Sequence, residues 1–144
     1  MSEAALRQLI VCAGNRIAAA CAQAMEDFSA SQQGNRCEFS MSEWLDETQF
    51  RQAALLWIVD DSQPWNTVHF ALQNQIALLV PADNIPMRQL CINASCGVFF
   101  QDAADVRACL EFLLTNEVAR TRMGANGRAY VTPYFYQGFR PITA

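Results

Sequence analysis

The chain of 144 residues has no lysine and only one histidine, His69, and each shortage removes a class of function. Ten arginines carry all of its basic charge against 14 acidic residues, for a net charge of −4, and they are scattered rather than clustered. Nucleic acids and anionic membranes are bound through a concentrated basic face, so neither is an expected partner. With one histidine and no C-x-x-C pair among Cys12, Cys21, Cys37, Cys91, Cys96 and Cys109, the ligand spacing of a zinc site is missing as well. Each of those cysteines falls in an apolar pattern, the setting of a buried free thiol that packs as a small hydrophobe. Long apolar runs are also lacking: nothing reaches the ~20 residues that cross a bilayer, so no transmembrane segment is expected. Residues 1–8 contain two charges and no apolar core, so no secretory leader is expected and the cytoplasm is the default location.

What the chain does have is apolar content, 52% of its residues, enough to bury a core as one domain. The densest part is organised around Leu55 to Ala82. Leu55-Leu56-Trp57-Ile58-Val59 is a continuous apolar run, too short for an independent helix and without alternation, which fits a strand covered on both faces of a parallel sheet. It stops at Asp60-Asp61-Ser62-Gln63-Pro64. A helix is predicted to begin at Pro64 or Trp65, with Val68, Ala71 and Leu72 facing inward. Ile76-Ala77-Leu78-Leu79-Val80, closed by Pro81, is a second buried strand, parallel to the first across the helix.

The flanks repeat the pattern. Leu9 to Cys12 reads as the first strand, and the Ala13-Gly14-Asn15 turn leads into a helix with Ile17, Ala20, Cys21, Ala24, Met25 and Phe28 on one stripe. Cys37 to Ser40 is a shorter, more polar strand suited to an edge. Ser42 to Gln52 reads as one short helix capped by Ser42 or Asp46, with Trp44, Leu45, Phe50 and Ala53 inward. Further helices are predicted over 85–94, 102–116 and 117–130, with a fifth strand at Gly97-Val98-Phe99-Phe100. Strict alternation of strand and helix specifies an α/β fold, a three-layer α/β/α sandwich with a five-stranded parallel sheet, Rossmann-like or flavodoxin-like, in order 2-1-3-4-5. The domain is predicted over 1–131. The tail over 132–144 is aromatic enough that it is expected to cover this domain, a second copy or a partner.

In such sheets ligands sit beyond the carboxyl ends of the strands, which points to the loops at Asp60 to Trp65 and Pro81 to Pro86. Gly14 allows a tight turn that would bring backbone N–H groups toward an anion, or it serves the turn alone. Asn66 and Thr67 at the helix start could meet a phosphate or only water, and Asp60 and Asp61 could simply precede and cap that helix.

From Leu9 to about Val131 the order of features resembles the later part of the carboxy-terminal, nucleotide-sugar-binding lobe of retaining GT-B glycosyltransferases. The residues that carry the resemblance are the glycine turn at Gly14, the string Leu78-Leu79-Val80-Pro81 and Gly97-Val98-Phe99-Phe100. After them come Asp102 to Leu114 and, most specifically, Arg120-Thr121-Arg122-Met123-Gly124-Ala125-Asn126-Gly127-Arg128. The resemblance implies a nucleotide-sugar lobe, but the family's two site glutamates, eight positions apart, fall on Asp61 and His69, and the glycines between them are replaced by Ser62-Gln63-Pro64-Trp65. No counterpart of the acceptor-binding lobe is present. A stand-alone, non-catalytic relative is therefore expected, with no catalytic residue, metal or cofactor. It would act by self-association as a homo-oligomer or through a glycosyltransferase or polysaccharide-assembly protein. The alternative is an enzyme or sensor that still holds a nucleotide or nucleotide sugar at Gly14, Asn15, Asp61, Asn66, Thr67 and His69, although His69 on an apolar helix also suits plain packing.

A shorter stretch, Val11-Cys12-Ala13-Gly14-Asn15, resembles the phosphate loop of low-molecular-weight tyrosine phosphatases, with Cys12 as the nucleophile. The arginine that this loop requires six positions on is Ala18 here, and Arg16 stands nearby. Phosphatase chemistry is the lesser alternative.

Overall fold

The apolar runs without alternation become the three inner strands of the sheet. A computed structural model describes residues 8–30 and 37–135. In it β1 (Gln8–Ala13), β3 (Ala53–Ile58) and β4 (Ala77–Pro81) are flanked by β2 (Cys37–Met41) and β5 (Gly97–Phe100), in order β2-β1-β3-β4-β5. Every ladder is parallel, as the connecting helices require. Side chains alternate between the faces, so Leu56 and Ile58 enter one core while Leu55 and Trp57 enter the other, and none of the four is exposed to solvent.

Helices α1 (Ala19–Ser29) and α5 (Ala103–Thr115) cover the Trp57 face through Cys21, Ala24, Phe28, Val106, Leu110 and Leu113. The opposite face carries α2 (Glu47–Phe50), α3 (Trp65–Gln73), α4 (Ile85–Ala94) and α6 (Glu117–Phe135). The expected three-layer α/β/α sandwich and its strand order are therefore both found. The predicted bounds of α4 and β5 match residue for residue, and Asp102 is the N-cap of α5, accepting from the Asp105 amide at 2.9 Å.

Three local readings differ from the structure. Helix α1 starts at Ala19 rather than directly behind Gly14, and Ile17 lies outside it, 41% exposed. The cause is long-range: the Ala18 amide donates to the Val59 carbonyl at 2.9 Å, which holds the intervening residues against the end of β3. The predicted 42–52 helix is instead a 3-10 turn (Ser42–Trp44) followed by α2, whose capping box joins Asp46 and Gln49 in both directions. That box restarts the helix, turning Trp44 outward to 72% exposure, and Ala53 belongs to β3. Helix α6 runs past Tyr130 and through Pro133 to Phe135, so the predicted tail begins as helix, and 136–144 lie outside the described residues.

Cys12, Cys21, Cys37, Cys91 and Cys96 are buried and Cys109 half-buried, all as free thiols. Among the described residues no helix is long and apolar enough to cross a membrane, and no group of three His, Cys, Asp or Glu side chains is placed to hold a metal.

Candidate functional site

The chain leaves β1 toward β2 on one side and β3 toward β4 on the other, so the loops after β1 and β3 part at the carboxyl edge of the sheet. A ligand crevice forms at such a parting. In this chain a side chain of the protein itself lies there. Asp60, 4% exposed, directs its carboxylate back under the β1 loop. The amides of Asn15 and Arg16 donate to its Oδ2 at 2.8 and 3.1 Å, while the Ser62 amide at 3.0 Å and the Ser62 hydroxyl donate to Oδ1. Asn84, from the loop after β4, donates its Nδ2 to the Asp60 and Ser62 carbonyls at 3.2 and 2.8 Å. The carboxylate thereby ties the loop after β1 to the turn after β3, and Asn84 joins the loop after β4 to that turn through its backbone carbonyls.

Burial by itself would raise the Asp60 carboxyl. The Ser62 hydroxyl and amide, with the Arg16 and Asn15 amides, outweigh it and hold the group below the usual carboxylate range. Gly14 is required by the same arrangement, since a Cβ there would lie 2.6 Å from Asp60 Oδ1.

Two openings flank this knot. A cleft of about 220 Å³ is lined by Arg16, Cys21, Asp60, Asp61, Asp83 and Phe100 among others, so its carboxylates outnumber its one arginine. On the other side of the sheet a groove of about 360 Å³ lies between the 42–50 segment and α3, with Phe50 and Phe70 in its lining.

The six predicted site residues do not converge on one opening. Gly14 and Asn15 meet Asp60, and Asp61 is exposed in the cleft. Asn66 and Thr67 line the groove. His69 is 6% exposed within α3, and burial lowers its pKa below the usual imidazole value. From the sequence alone Asp60 precedes or caps the helix. The α3 N-cap is Pro64, and Asp60 serves the β1 loop instead. Strand alternation extended beyond Val59 would set Asp60 and Asp61 on opposite faces, whereas both line the cleft, so neither the role of Asp60 nor those of Asn84 and the Phe50–Phe70 pair had a signal in the sequence.

No protein-family model and no curated protein sequence matches the chain. Solved structures do match it in fold. WaaG, a glycosyltransferase involved in lipopolysaccharide biosynthesis, superposes with a TM-score of 0.68 and 13% identity, over 88% of this chain and 43% of that one. The fold is that of a single GT-B-like lobe. A putative UDP-N-acetylglucosamine 2-epimerase from Listeria monocytogenes gives a TM-score of 0.64 at 15% identity, covering 94% of this chain and 47% of its own. The glycosyltransferase SnogD from Streptomyces nogalater gives 0.59 at 12%, covering 88% and 38%. The lobe thus spans less than half the length of each of these three structures.

Within the lobe Cys12 is a strand residue, 1% exposed, and burial, helped by Cys21, pushes its thiol up to about 12. Burial also raises Cys21, to about 11. Neither supplies the thiolate that phosphatase chemistry needs at neutral pH. Native-state alkylation at pH 8 is accordingly expected to label the half-buried Cys109 first and Cys12 only after denaturation. Peptide mapping that finds Cys12 modified in the folded chain would restore the phosphatase reading.

Proposed function

We propose that this lobe is a non-catalytic relative of GT-B glycosyltransferases that acts by association, either with itself or with a protein of polysaccharide or glycan assembly. One observation carries the reading: the loop amides of Asn15 and Arg16, the groups at the crevice suited to an anionic ligand, are already held by the Asp60 carboxylate. A diphosphate entering the cleft would also meet Asp61 and Asp83, and like charges at this range are unfavourable. Support for an association role comes from the fold, which elsewhere forms less than half of a larger protein.

The competing reading keeps a nucleotide or nucleotide sugar at this crevice, and the position of the cleft at the parting of β1 and β3 favours it. Thermal-shift and calorimetric titrations with UDP-, GDP- and ADP-sugars separate the two. The proposal expects no stabilisation by any donor, with light scattering giving a multiple of the 16.1 kDa chain or a complex with a glycan-assembly protein. A monomer stabilised by a donor sugar would overturn it.

A further inference from the structure

Strand β5 is bonded to the sheet on one side only, by β4. The Leu78 amide donates to the Cys96 carbonyl at 3.0 Å and the Ala82 amide to the Phe100 carbonyl at 2.8 Å, while Leu78 and Val80 stand opposite Gly97 and Phe99. In a parallel ladder of this register the amides and carbonyls of Val98 and Phe100 serve β4, so those of Gly97 and Phe99 point away from the sheet. Among the described residues nothing bonds to these four groups. The positions on either side are already closed. Asn126 Nδ2 donates to the Ser95 carbonyl at 3.0 Å, and the Gln101 amide donates to Asp105 Oδ2 at 3.1 Å. The open part of the edge is therefore the short stretch from Gly97 to Phe99.

An open edge is a template for another strand, and chains that stay single guard it with charge, proline or a bulge. The opposite edge has such a guard in Glu38 of β2, which is exposed. Strand β5 reads Gly97-Val98-Phe99-Phe100, with neither charge nor proline, and Phe99 is 43% exposed. The same residues specify what fits beside them. A two-fold axis at Val98 sets Gly97 of each copy against Phe99 of the other. These are the two residues whose backbone groups point outward, so each cross pair exchanges both of its N–H···O bonds and no open group is left over. Gly97 and Phe99 share a face of the strand, and the Phe99 ring would cover the glycine opposite it. No side chain can compete for that space, because a Cβ on Gly97 would lie 2.3 Å from the Leu78 carbonyl oxygen.

We infer that β5 pairs antiparallel with β5 of a second copy across a two-fold axis at Val98, joining the two sheets into one. This rests on the self-association arm of the proposed function and names its surface. A strand pair this short is small beside the ~1,600 Å² that a standard interface buries, so helix surface must take part. The helices that enter and leave β5 lie on its two faces, and each holds an exposed large apolar side chain, Ile92 on α4 and Phe112 on α5. Charge does not drive the contact. Each copy carries −4, so added salt should tighten the dimer by screening the repulsion between them.

Sedimentation equilibrium and amide hydrogen exchange on the full chain test it. The unaltered chain is expected at twice 16.1 kDa. Its Gly97 and Phe99 amides should exchange about tenfold more slowly well above the dimer's dissociation constant than well below it. Phe99→Lys should raise that constant by about a hundredfold, since each dimer would bury the charge twice, and should leave exchange at Gly97 independent of concentration. An unchanged urea midpoint at low concentration checks that this variant keeps its fold. Val98→Cys tests the register: residues facing each other across such an axis have Cα atoms about 4.5 Å apart, within disulfide reach, so mild oxidation should cross-link this variant and not the parent. A monomer at every concentration would overturn the inference and leave association with another protein standing. A dimer that survives Phe99→Lys, keeps both amides fast or fails to cross-link through Val98→Cys would overturn it too, and would move self-association to another face.

Discussion

Asp60→Ala is expected to lower the stability of the chain by about 3–5 kcal/mol, the range seen when a buried charge network loses its central member. The carboxylate accepts four hydrogen bonds, and its removal leaves the Asn15, Arg16 and Ser62 amides without their acceptor in a part-buried setting. The loss spreads to the loop after β4, because Asn84 is oriented by the Asp60 and Ser62 carbonyls. Urea unfolding should show a lower midpoint with an unchanged slope, as expected when the folded state is weakened without altering the surface it exposes. Asp60→Asn should fall between, since an amide oxygen still accepts while its NH₂ faces donors.

Acid dependence gives a second measure of the same group. The folded-state pKa of Asp60 is depressed, so folding favours the charged form. Its contribution is fully present above the unfolded carboxyl value of about 3.9 and is lost as pH falls through the lower folded value. Asp60→Asn should flatten that acid limb and leave stability above about pH 5 independent of pH from this source. Inorganic phosphate should stabilise Asp60→Ala more than the unaltered chain, because the two loop amides are then free to meet an external anion. A phosphate response equal in both proteins would mean that Asp60 does not fill an anion position.

The sheet was legible because its signal is local. Leu55 to Val59 and Ile76 to Val80 lack alternation, and a strand that is apolar on both sides has one stable place, the interior of a covered parallel sheet. Sequence reading failed where a distant residue overruled a local pattern. Ile17 fits the helical spacing of α1, yet the amides of Asn15, Arg16 and Ala18 are taken by Asp60 and Val59, more than 40 positions away. Trp44 fitted an inward face until the Asp46–Gln49 capping box reset the start of α2. The choice of Asp61 and His69 came from matching a spacing of eight to a family pattern. The folded lobe turns Asp61 to solvent and buries His69 among the core residues of α3.

The glycine at 124 was visible only as part of the string that resembles the end of a glycosyltransferase lobe, and the structure gives it a physical reason. In an ordinary exposed helix, replacing glycine by alanine gains about 1 kcal/mol through reduced chain entropy. Here the sign is expected to reverse. Gly124→Ala would set its Cβ 2.0 Å from the Gln75 carbonyl oxygen, a backbone atom at the end of α3. That carbonyl has little room to yield: the Gln75 amide donates to the Leu72 carbonyl at 3.1 Å, and the Ile76 amide donates to the Ala71 carbonyl at 2.9 Å just before β4 begins. Helix α6 must lift away instead, withdrawing fully buried Val131 from the core, and a loss of about 3 kcal/mol is expected. Gln75 itself sits at φ 59, so Gln75→Gly should gain up to about 1 kcal/mol by removing a left-handed side chain. It should not rescue Gly124→Ala, because the clash is with the carbonyl rather than the side chain. Ala125→Gly, one residue along on the exposed face, should cost only the ordinary helix penalty of about 1 kcal/mol. Urea midpoints for the three single substitutions and the Gly124–Gln75 pair decide the matter, and a Gly124→Ala chain as stable as the parent would mean that α6 does not approach α3 this closely.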